Sequence, residues 1–116
     1  MQAIRERLRA RRSRHVRALR EEAVRLADAA AALGAQRVVL FGSLVTGEPG
    51  LASDVDLLVV WDTPLDFLTR TVTLYRLLQP RAPVDLLVYS PGEMESIASR
   101  PFVRQALAEG KVLHEG

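Results

Sequence analysis

The sequence contains no cysteine. Disulfide scaffolds, zinc–thiolate centres and cysteine nucleophiles are therefore excluded. It has no run of about 18 uncharged apolar residues, the length a helix needs to cross a bilayer. Its arginine-rich start is not followed by the apolar stretch of a secretory signal. Aromatic residues are few, at 5% of the chain, and lysine occurs once, at Lys111. What is there is 116 residues, 48% apolar and 26% charged. That suits a single domain whose modest core needs no metal or disulfide to fold. A soluble cytoplasmic protein is expected.

Charge is unevenly placed. The first 25 residues carry nine arginines against Glu6, Glu21 and Glu22, leaving +6. The rest carries seven basic and eleven acidic residues, leaving −4. A basic arm thus precedes a mildly acidic body. Such an arm reads first as a solvated helix face, and second as a surface for nucleic acid or an acidic partner.

Residues 3–33 predict one long helix. Val16, Leu19, Ala23, Leu26, Ala30 and Leu33 recur at steps of three and four and so share a stripe. Arg11 and Arg12 interrupt the backward extension through Ile4 and Leu8, so the first turns are expected to project or fray. Gly34 is a suitable stop. Residues 37–41 (RVVLF), 54–61 (DVDLLVVW) and 84–89 (VDLLVY) predict strands. Thr63-Pro64-Leu65-Asp66 predicts a helix start, with Thr63 as cap, Pro64 at the first position and a buried face of Leu65, Leu68, Val72, Tyr75 and Leu78. Ser90-Pro91-Gly92-Glu93 has the capping-box pattern. Pro101 opens a last helix, Gly110 closes it, and residues 111–114 predict a closing strand. The expected fold is α/β (α+β): a small mixed sheet covered by helices, with a long N-terminal helix. Residues 1–34 form the basic helix packed on a body of residues 35–116.

The chemistry concentrates between Gly42 and Asp56. Asp54 and Asp56, two apart on a strand, share one face. Two anions held that close call for a cation, and oxygen ligands beside phosphates suit Mg²⁺. Asp85 in the next predicted strand faces the pair if the two strands are neighbours. Gly42-Ser43 offers a close backbone approach and a hydroxyl for a phosphate. A phosphate cradle beside three carboxylates is the apparatus of phosphoryl or nucleotidyl transfer, with two metal ions in line and a carboxylate base. His15 and His114 lack metal-ligand spacing, and Asp62 and Asp66 read as turn and helix-start residues.

The segment GSLVTGEPGLASDVD, residues 42–56, resembles the GS-x10-D-x-D signature of the DNA polymerase β-like nucleotidyltransferase superfamily. From about Val38 to the end, the chain is similar to the minimal branch, the MNT domain proteins, which often pair with a HEPN-domain protein. The ending FVRQALAEGKVLHEG fits that branch as well. The resemblance implies that Gly42 and Ser43 hold a nucleoside triphosphate. It implies that Asp54, Asp56 and Asp85 bind metal, with Asp85 the candidate base. Gly47 and Ser53 agree with the pattern. Leu44, Val45 and Thr46 depart from it, standing where many members carry arginine or another polar residue.

The expected activity is Mg²⁺-dependent transfer of a nucleoside monophosphate, AMP from ATP, onto a hydroxyl acceptor. The resemblance offers a HEPN toxin partner as that acceptor, with the chain as antitoxin. The short chain leaves a partner or a homo-oligomer to complete the acceptor site. The main alternative is a module that neutralises a HEPN ribonuclease by contact alone. A third reading gives the arginine arm an RNA or DNA ligand. An antibiotic-modifying transferase ranks last, for want of the second domain such enzymes carry.

Overall fold

Helical and extended periodicities alternate along the chain, and the computed structural model, which describes all 116 residues, resolves them into eight elements. These are α1 (Gln2–Ala32), β1 (Arg37–Phe41), β2 (Val55–Val60), α2 (Phe67–Leu78), β3 (Val84–Tyr89), α3 (Pro91–Ile97), α4 (Pro101–Glu109) and β4 (Lys111–Glu115). A 3₁₀ turn over Gly42–Leu44 follows β1. β1 and β3 span the expected residues, and β2 is one residue shorter than expected at each end. No helix is long and apolar enough to cross a membrane.

The strands form one mixed sheet in the order β3-β2-β1-β4. β1 pairs antiparallel with β2 and β4, whereas β2 and β3 run parallel, with α2 as the crossover that parallel pairing requires. Side chains alternate across the sheet. On one face Val38, Leu40, Leu57 and Val59 pack with Leu19 and Leu26 of α1 and Leu74 and Leu78 of α2. On the other, Val39, Leu58 and Val60 pack with Ile97 of α3 and Val103 of α4.

The α1 stripe from Val16 to Ala30 is buried as its periodicity predicts, with Leu33 left 38% exposed at the end. Gly34 takes φ +101°, the left-handed stop. Residues 1–14 are exposed throughout, Ile4 and Leu8 included. The helix therefore projects, and the molecule measures 55 × 29 × 24 Å. Its radius of gyration of 15.5 Å exceeds the roughly 13 Å of a compact domain of this length.

α2 departs from expectation. Its cap is Asp66, whose carboxylate accepts the Thr69 N–H at 2.8 Å. Thr63 instead closes a local turn by accepting the Leu65 N–H. The buried stripe is Arg70, Leu74 and Leu78, spaced by four, so of the expected face only Leu78 is buried. Leu68 is 72% exposed, and Val72 and Tyr75 also face outward. The reason is an ion pair. The Arg70 guanidinium joins Glu93 of α3 and donates to the Leu65 carbonyl, which lets an arginine occupy a buried position. Glu93 also completes the α3 capping box with Ser90.

Candidate active site

β2 and β3 begin side by side, and their parallel register sets Asp56 directly beside Asp85. Neighbouring strands lie about 4.8 Å apart, so the two carboxylates share one small volume. Asp56 alternates with Val55 and Leu57 and thus falls on the face of Leu58 and Val60. Asp54 stands just before the strand, two residues from Asp56. None of the three is ion-paired with an arginine or lysine of the chain. The Asp56 carboxyl is pushed up to about 6. Partial burial is the first cause, a hydrogen bond with the Asp85 carboxyl the second, and the charges of Asp85 and Asp54 follow.

The opposite wall is the turn after β1, where Phe41 registers with Asp56 across the sheet. Gly42 takes φ +78°, and a Cβ there would sit 2.1 Å from Asp56 Oδ2. Only glycine combines that backbone angle with that approach. Gly47 packs against Ser43, where a Cβ would lie 3.2 Å from the Ser43 Cα. The Ser43 hydroxyl donates to Ser53 Oγ at 3.1 Å, and Ser53 Oγ accepts the Gly50 N–H at 2.9 Å. The loop between the Gly-Ser turn and the aspartates is thereby closed on itself. Arg20 of α1 donates to the Leu44 carbonyl at 3.2 Å, tying the turn to the long helix. Leu44 itself is 4% exposed, so its side chain serves the core.

These groups line an open cleft of about 690 Å³ containing Ser43, Ser53, Asp54, Asp56 and Asp85. The expected site side chains of Ser43, Asp54, Asp56 and Asp85 therefore converge, with Gly42 packed against Asp56. A groove of similar volume, about 720 Å³, runs along α1 past Arg12, Arg17, Arg20 and Pro49. It holds no cluster of carboxylates, whereas the cleft holds Asp54, Asp56 and Asp85. Two charged residues of the cleft, Arg12 and Glu48, carry no site signal in the sequence. Arg12 was hidden in a run of arginines thirty residues before the Gly-Ser pair, and no spacing signal links it to the aspartates.

The donor set is oxygen alone and carries unbalanced negative charge, which fits Mg²⁺ rather than a softer metal. No three His, Cys, Asp or Glu side chains close into a ready-made cage. Mg²⁺ rarely needs one, because one or two carboxylates, substrate phosphates and water complete its shell. Asp54 and Asp56, with Asp85 beside them, are the residues that would hold it.

Residues 16–114 match the family model described as nucleotidyltransferase domain. The fold is similar to the crystal structure of a candidate nucleotidyltransferase from Sulfolobus solfataricus, with a TM-score of 0.62 and 19% identity over 85% of this chain and 82% of that one. At that identity the likeness is one of fold. Among proteins of curated function, none matches the sequence.

Proposed function

The chain belongs to the nucleotidyltransferase domain family, and from that premise we propose that it is a Mg²⁺-dependent enzyme moving AMP from ATP onto a hydroxyl acceptor. The observation that carries this reading is the Asp56–Asp85 pair, side by side at the strand starts, with the Gly42 turn packed against Asp56. Gly42 and Ser43 receive the donor phosphates, where the missing Cβ lets the backbone approach. Asp54 and Asp56 hold the metal, and Asp85 takes the proton of the attacking hydroxyl. The acceptor oxygen bonds to the α-phosphorus, the bond to the bridging oxygen of the β-phosphate breaks, and pyrophosphate leaves. Bound metal would neutralise charge on the phosphates and align the attacking and leaving oxygens.

Calorimetric titration of Mg²⁺–ATP tests the site. The unaltered chain should bind in a metal-dependent manner, and the double variant Asp54→Ala with Asp56→Ala should not. Equal binding by both would remove the aspartates from the function. The acceptor we propose is a HEPN-domain partner, supported by the resemblance of residues 42–56 and 102–116 to the MNT branch. Transfer of labelled AMP to that partner is the readout.

A second reading has an observation of its own. Leu44 is buried and Val45 half-buried, so the turn after Gly-Ser presents no cation to a triphosphate. A chain that neutralises a HEPN ribonuclease by contact alone would tolerate this. Asp54→Ala should abolish neutralisation if transfer is the mechanism and spare it if contact suffices.

A further inference from the structure

The aspartate cleft is lined by four carboxylates, Glu48, Asp54, Asp56 and Asp85, and by one cation, Arg12. Arg12 comes from the projecting end of α1, far in sequence from the rest. Its side chain lies against the loop that delivers the aspartates. Its Cδ and Nε are each 3.9 Å from where a Cβ on Gly50 would sit. It forms neither of the chain's two ion pairs, so all its donors stay free beside four anions. Its neighbours are differently placed. Arg17 lines the adjoining groove and not the cleft, and Arg20 is engaged with the Leu44 carbonyl.

We infer that Arg12 is a donor-binding residue of this site, holding the outer phosphates of the nucleoside triphosphate from beside the Gly50 loop. The inference rests on the nucleotidyltransferase reading and adds to it the group that offsets the cleft's own repulsion of a polyphosphate. A planar guanidinium with free donors suits phosphate oxygens in a paired geometry. Ser43 and Arg12 line the same cleft, with the loop of Gly50 and Ser53 between them. Phosphates resting on the Gly-Ser turn therefore extend toward Arg12. The long helix thus takes part in substrate binding through one residue, whatever its other arginines do.

The test is titration of Mg²⁺–ATP into four forms of the full chain: unaltered, Arg12→Ala, Arg12→Lys and Arg17→Ala. Arg12→Ala should weaken binding about tenfold, the loss expected of one charge-assisted pair at an open site. Arg12→Lys should recover part of it, and Arg17→Ala should stay within about twofold. Circular dichroism should show all four equally folded, since both positions are exposed. Unchanged binding by Arg12→Ala overturns the inference and leaves the nucleotide site standing. Equal losses from Arg12→Ala and Arg17→Ala also overturn it, because the effect would then be a diffuse basic field. Absence of binding by the unaltered chain overturns the site reading and this inference together.

Discussion

Asp56 carries the strongest upward shift among the carboxyls of the cleft. Its carboxyl is raised to about 6, so the folded state binds its proton more tightly than the unfolded chain does. The penalty is absent below about pH 4 and fully present above about pH 6. At full strength it is about 3 kcal/mol; solvent screening at this half-open position reduces it to about 1–2 kcal/mol. Without Mg²⁺, urea midpoints should therefore fall as pH rises from 4 to 7. Asp56→Asn should flatten that slope, raise stability at pH 7 by about 1 kcal/mol, and lose metal-dependent nucleotide binding. Gly42 answers to the same carboxylate. Gly42→Ala places a methyl on Asp56 Oδ2 at a left-handed backbone angle, so a loss of about 1–3 kcal/mol should appear in thermal melts. Asp54, Asp56 and the Gly-Ser pair were legible in the sequence through spacing, a period of two within a strand and one loop between strands, whereas Asp85 was legible only on condition that β2 and β3 are neighbours, which the parallel register supplies. Arg12 was not legible, since a long-range approach between a helix and a loop leaves no periodic trace.

α2 shows where local reading stops. Two caps compete at its start, Thr63 and Asp66, and Asp66 forms the helix because its side chain reaches the Thr69 N–H. Its apolar residues lie on two stripes, and only tertiary packing chooses between them. The choice turns on Arg70, buried through its pairing with Glu93, some twenty residues away. By contrast, β1, β3 and the α3 cap were legible because each is written within six residues. Arg70→Ala should cost about 1–3 kcal/mol, measured by denaturant unfolding, since it strips one partner from Glu93 and opens a gap beside Leu74. The Arg70 guanidinium and the Ser90 N–H hold the Glu93 carboxyl down to about 2. Its contribution is present above the usual carboxylate range and is lost as pH falls toward 2. Arg70→Ala should weaken that acid-side dependence.

At the scale of the whole molecule, the body and the arm differ in what supports them. The body holds α1 from Val16 onward, whereas residues 1–14 are exposed. A helix of that length is marginal without packing. Removal of residues 2–9 should shift the melting temperature by no more than about 2 °C, and limited proteolysis should cut there first. Such a truncation keeps Arg12, so the proposed nucleotide binding should persist in a Mg²⁺–ATP titration. The sheet order has a separate consequence. β3 lies at one margin of the sheet, and Asp85 is the sole charge in its VDLLVY stretch. An unpaired margin of that composition invites strand addition by another chain, and a charge upon it opposes this. The carboxylate proposed as base should thus also oppose aggregation. Asp85→Ala should scatter light on storage where Asp54→Ala, equally damaging to the site, stays clear.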